Sequence, residues 1–267
     1  MTIRIFDNEK LMLIDFSYYI LYRYYALKSW CKFSKTTLSD QDLLKRFHEK
    51  FELQFLKLVK HYDIPPENVI FVGDCKRDTI WRRQIDSEYK SNRDNLSQNQ
   101  CIVPPSFFEH VYGIIVPEIT RKYDNQFVCF DEMEADDVIS IICSKCCDSI
   151  QMTIITNDND YLQLSNSNTK IYNLKSLDIC SRGTGNPKID LRMKILTGDV
   201  SDNIKCVCSK RIANLLVQKD DCEIEHYIEE NGLRTKYDHN RLLIDFSMIP
   251  TEYSNKVLSN LEIHNRL

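Results

Sequence analysis

Four short apolar segments, each followed closely by acidic residues, constrain the fold of this chain more than any other feature of its sequence. None of them alternates apolar with polar residues, so each is typical of a strand that is buried on both faces, as in a parallel sheet. They are Leu11–Ile14 before Asp15, Val69–Val72 before Asp74, Phe127–Phe130 before Asp131, and Met152–Ile155 before Asp158. The sequence therefore predicts a parallel sheet with acidic side chains at the carboxyl ends of its strands.

Helical patterns lie between these strands. Apolar residues recur at spacings of three and four from Leu44 to Tyr62, behind the helix-start pair Ser39-Asp40 and ahead of Pro65-Pro66. A second, strongly apolar helix is predicted around Val138–Ile142. This alternation of strands and helices favours an α/β fold with helices on both faces of the sheet.

Two segments interrupt the alternation. Residues 87–105 are polar and are predicted to form a mobile loop or a short helical excursion beside the sheet. Ser181–Pro187 holds two of the six glycines, and we place a domain boundary there. The chain is thereby divided into an α/β core at 1–186 and a small helical region at 187–267, with candidate helices at 211–217 and 220–230.

Composition excludes several classes of protein. Six glycines, where average usage of ~7% predicts about 19, leave little room for a glycine-rich phosphate loop, and neither nucleotide-binding fingerprint occurs. A net charge of −4 argues against binding nucleic acid by bulk charge alone. The eleven cysteines, without a signal peptide, indicate free thiols in a reducing, cytoplasmic compartment, which is the host cytoplasm if the source is viral. No apolar stretch is long enough to span a membrane.

Nine acidic residues are expected to meet at one edge of the sheet, three of them shortly after predicted strands. Taken singly, each can be explained without a function, because acidic residues stabilise the dipole at a helix N-terminus and Asp-Asn-Asp forms turns. Together, at one sheet edge and with few lysines or arginines beside them in sequence, they require a cation. Oxygen-only, histidine-free groups suit two Mg²⁺ ions, with Mn²⁺ as a substitute, rather than zinc. The nine are Asp15, Asp74, Glu134, Asp136, Asp137, Asp158, Asp160, Asp199 and Asp202.

The spacing in Glu134-Ala135-Asp136-Asp137 predicts a helix start at which Glu134 and Asp137 share one face and Asp136 points to another. A pair of ions held by such carboxylates serves phosphodiester hydrolysis, because one ion lowers the pKa of an attacking water and the other stabilises the leaving oxygen.

Basic and aromatic residues follow the second strand. Helical spacing places Arg83 and Lys90 on one face, with Arg82, Tyr89 and Arg93 nearby, which is the pattern of a surface that binds a phosphate backbone. The alternative is a solvated helix whose basic residues are balanced by Asp86 and Glu88.

These motifs, in this order, resemble the metal-dependent 5′-nuclease superfamily, which includes flap endonucleases and the 5′-nuclease domain of bacterial DNA polymerase I. The resemblance runs from Leu11–Ser17 through Glu134–Asp137 and Thr156–Asp160 to Gly198–Asn203. Trp81–Arg93 and Leu242–Pro250 look more like the ribonucleases H of T-even phages than like cellular members.

The resemblance implies a PIN-like core and a structure-selective 5′-to-3′ nuclease acting on flap or nicked DNA and RNA–DNA hybrids, as in RNA-primer removal. It implies a monomer, with replication proteins such as single-strand-binding protein as partners. Asp15, Asp74, Glu134 and Asp136 would surround the first ion and Asp158, Asp160 and Asp202 the second, with Asp137 and Asp199 supporting. Asp136, Lys90 and Arg93 would be catalytic, the two basic residues contacting the scissile phosphate at the base of an arch.

One segment departs from the family pattern. The residues after Asp202 lack the glycines of a duplex-binding hairpin, so Lys205, Lys210 and Arg211 are expected to meet phosphates through their side chains. Two alternatives stay open: a PIN-type ribonuclease for single-stranded RNA, and a non-catalytic relative that binds nucleic acid.

Overall fold

The computed structural model describes residues 2–6, 10–93, 103–146 and 149–264. Its strands are β1 Ile3–Phe6, β2 Lys10–Asp15, β3 Val69–Val72, β4 Gln126–Val128, β5 Gln151–Ile155, β6 Thr169–Tyr172 and β7 Leu261–His264. A five-stranded sheet, parallel throughout, has the order β4-β3-β2-β5-β6, and β1 pairs with β7 in a second parallel sheet. The chain order reverses at β2, so the crevice between β2 and β5 is where such a sheet binds ligands.

Helices cover both faces of the large sheet. They are α1 Phe16–Phe33, α2 Asp40–Tyr62, α3 Arg82–Ile85, α4 Pro105–His110, α5 Val116–Tyr123, α6 Ala135–Cys146, α7 Pro187–Thr197, α8 Lys210–Leu216, α9 Asp221–Glu230, α10 Arg234–Ile244 and α11 Thr251–Leu258. Residues 111–115 join α4 to α5 as one turn of π-helix. The predicted α/β fold, a parallel sheet with helices on both faces, is confirmed.

The central strand β2 shows why the apolar segments do not alternate. Leu11 and Leu13 pack into the core beneath α6, whereas Met12 and Ile14 pack into the opposite core beneath α1 and α2. Both faces of the strand are therefore buried, and burying each such side chain contributes roughly 1.5–3 kcal/mol.

Local signals set the helix boundaries as expected. The Ser39 side chain accepts a hydrogen bond from the backbone N–H of Asp42, 3.1 Å away, and so caps α2. Asp220 and Glu223 form a reciprocal capping box at the start of α9. The predicted helices at 211–217 and 220–230 correspond to α8 and α9.

Several elements lie outside the sequence prediction, among them α1, α4, α5, β1, β6 and β7. β6 alternates buried and exposed side chains as an edge strand does, and β1 needs the distant β7 to complete its pairing. The predicted strand at Phe127–Phe130 is shorter, because the chain leaves the sheet after Val128. Of the predicted loop at 87–105, residues 94–102 lie outside the described residues.

The C-terminal elements return to the sheet. The Tyr253 ring of α11 stacks on Trp81 with centroids 5.9 Å apart, and Val257 lies in the core beside α6. The division at 186/187 stays a prediction. Nine cysteines lie in the described ranges, and all nine are free. Among the described residues, no helix combines the length and apolar character needed to cross a membrane.

Candidate active site

The carboxyl ends of three neighbouring strands bring Asp15, Asp74 and Asp158 to one edge of the sheet. Asp15 accepts hydrogen bonds from the Tyr18 backbone N–H and from the Thr156 hydroxyl, both at 3.0 Å. Asp74 accepts from the Ala135 backbone N–H at 2.8 Å, where α6 begins. Burial, with the charges of Asp74 and Asp158, raises the pKa of Asp15 to about 7. The three carboxylates therefore act on one another.

A first carboxylate group stands at the start of α6. Glu134, Asp136 and Asp137 each offer an oxygen within 4.8 Å of the others. The prediction that Asp136 points away is wrong, because α6 begins at Ala135 and helical spacing does not apply to Glu134. Burial and the charges of Glu134 and Asp137 raise the pKa of Asp136 well above its ordinary value.

Arg82 neutralises part of this group from inside the protein. Its guanidinium lies 2.7 Å from Asp137 and 3.2 Å from Glu134, and its Nε donates to the Leu243 carbonyl at 2.9 Å. The Trp81 indole N–H also donates to Asp137, at 2.9 Å. Arg82 is 1% exposed. The prediction that it binds nucleic acid is therefore wrong: it is a buried counter-cation of Asp137.

Tyr89 and Lys90 also turn inward. The Tyr89 hydroxyl donates to Glu134 at 2.9 Å, and the ring is 3% exposed, so its predicted contact with nucleic acid is wrong. The Lys90 ammonium contacts Glu134 and lies 3.6 Å from Asp202. Burial alone would raise the pKa of Glu134, but Lys90 and Arg82 outweigh it and hold that pKa below its ordinary value.

The predicted helical face that joins Arg83 to Lys90 does not form. Helix α3 ends at Ile85, Asp86 is extended, and Lys90 has a positive φ of 56°. Lys90 consequently reaches the acids through a turn rather than along a helix. Arg83 is half-buried, and its Nε donates to the Tyr89 carbonyl at 3.1 Å.

A second carboxylate group consists of Asp160, Asp199 and Asp202, whose nearest oxygens again lie within 4.8 Å of one another. Arg93 pairs with Asp202, and Lys194 of α7 contacts Asp160 and lies 2.9 Å from Asp199. Burial raises the pKa of Asp199, but hydrogen bonds from Ser201 and the charge of Lys194 outweigh it and lower that pKa to about 2.

Few basic residues stand beside the acids in sequence, but four basic side chains lie among them in the folded protein. Arg82, Lys90, Arg93 and Lys194 reach them from other parts of the chain, and sequence reasoning missed Lys194 altogether. Asp158 is placed near Asp15. It shares with Asp15, Lys194 and Asp199 a cleft of about 650 Å³ over the sheet edge.

The segment after Asp202 is compact without a glycine of its own. Gly198, with a φ of +67°, precedes it, and a Cβ there would lie 2.4 Å from the Ile204 carbonyl oxygen. The Asp199 backbone pairs with Ile204 across this turn. Lys205, Lys210 and Arg211 are exposed beyond it, and their contact with phosphates stays a prediction.

A parallel sheet with two oxygen-only donor groups at its edge is the arrangement of a metal-dependent nuclease. Residues 10–192 match the family described as 5′-3′ exonuclease, N-terminal resolvase-like domain. The chain belongs to this family.

Two curated proteins that are similar to this chain carry nuclease names. A 5′-3′ exonuclease of Mycoplasmopsis pulmonis is 30% identical over 219 residues, which cover 78% of this chain and 66% of that protein. The ribonuclease H of Enterobacteria phage T4 is 24% identical over 270 residues, which cover 94% of this chain and 86% of that protein.

Solved structures share the fold. A phage T5 protein crystallised with metal ions superposes with a TM-score of 0.68 at 15% identity, covering 95% of this chain and all (100%) of that chain. A phage T5 flap endonuclease, in a complex described as containing DNA and metal ions, has a TM-score of 0.63 at 15% identity, with 94% and 93% covered.

Proposed function

We propose that the protein is a structure-selective 5′-to-3′ nuclease that hydrolyses phosphodiester bonds in 5′-flap or nicked DNA and in RNA–DNA hybrids, as in RNA-primer removal. The observation that carries this proposal is the pair of carboxylate groups at the sheet edge, with Lys90 between Glu134 and Asp202. The names of the relatives, a 5′-3′ exonuclease and a ribonuclease H, support the same activity.

The donor set fits hard divalent cations. Every donor in the two groups is a carboxylate oxygen. Burial and, after it, the charges of neighbouring carboxylates raise the pKa values of Asp15 and Asp136, so added positive charge would stabilise their ionised forms. We propose Mg²⁺ as the natural ion, with Mn²⁺ as a substitute. When bound, two such ions supply an activated water and stabilise the leaving oxygen of an in-line displacement.

The nine acids divide by position. Glu134 and Asp136 are proposed to hold one ion, together with Asp15 and Asp74 from the neighbouring strand ends. Asp160 and Asp202 are proposed to hold the other, with Asp158 contributing from the cleft and Asp199 supporting. Asp137 supports the first group without binding the ion, since Arg82 and Trp81 occupy its oxygens.

Basic side chains are proposed to contact the phosphates of the substrate. Lys90 and Arg93 stand against the acids, where a scissile phosphate has to enter, so their positive charges are placed to stabilise charge that grows during cleavage. Lys205, Lys210 and Arg211 are exposed and are proposed to hold duplex behind the junction. A monomer, with single-strand-binding protein as a partner, is proposed from the family resemblance alone.

Three labelled substrates test the proposal: a 5′-flap DNA, an RNA–DNA hybrid and a single-stranded RNA, each with Mg²⁺ and with a chelator. We expect short products from the 5′ ends of the first two, in Mg²⁺ only. Cleavage confined to single-stranded RNA would identify the PIN-type alternative instead, and binding of all three without cleavage would identify a non-catalytic relative.

A further inference from the structure

The two carboxylate groups are neutralised in different ways. Arg82, one of two cations at the first group, has a side chain that is 2% exposed and is also anchored to the Leu243 carbonyl. The other, Lys90, contacts Glu134 and has a side chain that is 11% exposed. Lys194, a cation of the second group, has a side chain that is 19% exposed and lines the open cleft. Arg82 is therefore enclosed by the protein, whereas Lys194 borders solvent in the cleft.

Lys194 stands where a divalent ion has to bind. Its ammonium contacts Asp160 and lies 2.9 Å from Asp199, and these carboxylates, with Asp202, offer oxygens within 4.8 Å of one another. A compact ammonium at this distance occupies the same oxygens and supplies the same sign of charge as a metal ion. The two cations repel each other and therefore compete for this space between the carboxylates.

We propose that Lys194 is a built-in competitor for the second metal site, which a divalent ion displaces from Asp160 and Asp199 when it binds. This inference rests on the proposed two-metal function. It means that the second ion must replace an ion pair on both Asp160 and Asp199, whereas at the first group Lys90 contacts Glu134 alone and Arg82 stays with Asp137 whether or not an ion is bound. The second ion therefore binds more weakly than the first.

The size of the effect follows from the charge that is removed. An opposite charge within about 4–6 Å typically shifts the pKa of a carboxylate by 1–3 units, which is a tenfold to thousandfold preference for the charged form. A divalent ion that displaces Lys194 loses part of this stabilisation. Removing the ammonium should therefore lower the dissociation constant of the weaker class of metal site by about tenfold or more. The dissociation constant of the tighter class should not change.

The test is a titration of the full chain with Mn²⁺, in which free Mn²⁺ is read by electron paramagnetic resonance without any nucleic acid. Lys194→Met is compared with Lys188→Met, a matched control on the same helix whose ammonium pairs with Asp221, away from both groups. Lys194→Arg keeps the charge and is expected to retain weak binding. Lys194→Gln replaces the methionine variant if the latter does not fold.

The outcomes separate this inference from the proposed function. The inference is supported if the wild type has two classes of Mn²⁺ site and Lys194→Met or Lys194→Gln raises the affinity of the weaker class alone. Two classes that these variants leave within twofold of wild type overturn it and leave the nuclease proposal intact. A wild type that binds no Mn²⁺ and cleaves no flap contradicts both.

Discussion

Replacing Arg82 by methionine removes the buried cation that neutralises Asp137, while much of the apolar stem remains. Asp137 is fully buried, so its carboxylate would be left without a compensating charge. Removing one partner of a buried ion pair typically costs about 3–5 kcal/mol, against a total stability of roughly 5–15 kcal/mol for a domain. We therefore expect the free energy of unfolding to fall by about 3–5 kcal/mol.

Urea unfolding, followed by circular dichroism in a metal-free buffer, measures this change. Arg83→Met is the matched control, since the neighbouring Arg83 is only half-buried and donates to the Tyr89 carbonyl; we expect it to cost about 1 kcal/mol or less. Adding Asp137→Asn to Arg82→Met removes the unpaired buried charge. The double variant should therefore regain at least about 1 kcal/mol of the free energy of unfolding.

A small loss of stability would contradict the buried role of Arg82. If Arg82→Met unfolds within about 1 kcal/mol of wild type and instead weakens the binding of flap DNA, then Arg82 faces the substrate and the buried network is wrong.

Three further predictions concern the rate, the substrate and the pH. Lys90→Ala should lower the rate at saturating substrate by about a hundredfold with little change in binding; an unchanged single-turnover rate would remove Lys90 from the catalytic site. Lys210→Ala/Arg211→Ala should weaken duplex-containing substrates, reduce the slope of log affinity against log salt by about 0.9 for each lost contact, and spare a short single strand; an unchanged slope in titrations would mean that this segment does not touch DNA. Because the folded-state pKa of Asp15 is raised to about 7, the folded protein retains a proton there that the unfolded chain loses at lower pH. The metal-free protein should therefore lose stability as the pH rises from about 4 to about 7, and calorimetry should show a flatter profile for Asp15→Asn; an equal slope would contradict the shift.

The positions of the acids were predictable because they depend on strand ends. A strand that is apolar on both faces is visible in sequence, and the carboxyl ends of parallel strands meet at one edge, so Asp15 and Asp74 follow from the pattern. The helix that begins next to Glu134 was likewise visible, but the direction of Asp136 was not, since it depends on where the first helical turn starts.

The counter-cations were not predictable, because each reaches the acids across a long stretch of chain. Arg82 meets Asp137 55 residues away in sequence, and Lys194 meets Asp160 from another helix. Helical spacing misplaced Lys90, since the chain becomes extended at Asp86 and turns back. Sequence patterns describe neighbours along one element, whereas these ion pairs depend on how separate elements pack.

Cleavage of a 5′-flap DNA by Asp136→Asn tests most directly whether the carboxylates at the sheet edge form the active site. The variant removes one charge from the first group, so we expect the rate at saturating substrate and saturating Mg²⁺ to fall by at least about a hundredfold. Substrate binding should stay near wild type or tighten, because less negative charge then faces the phosphates. Asp131→Asn, at an exposed acid five residues earlier, should cleave normally. A rate for Asp136→Asn within tenfold of wild type would contradict this assignment of the active site.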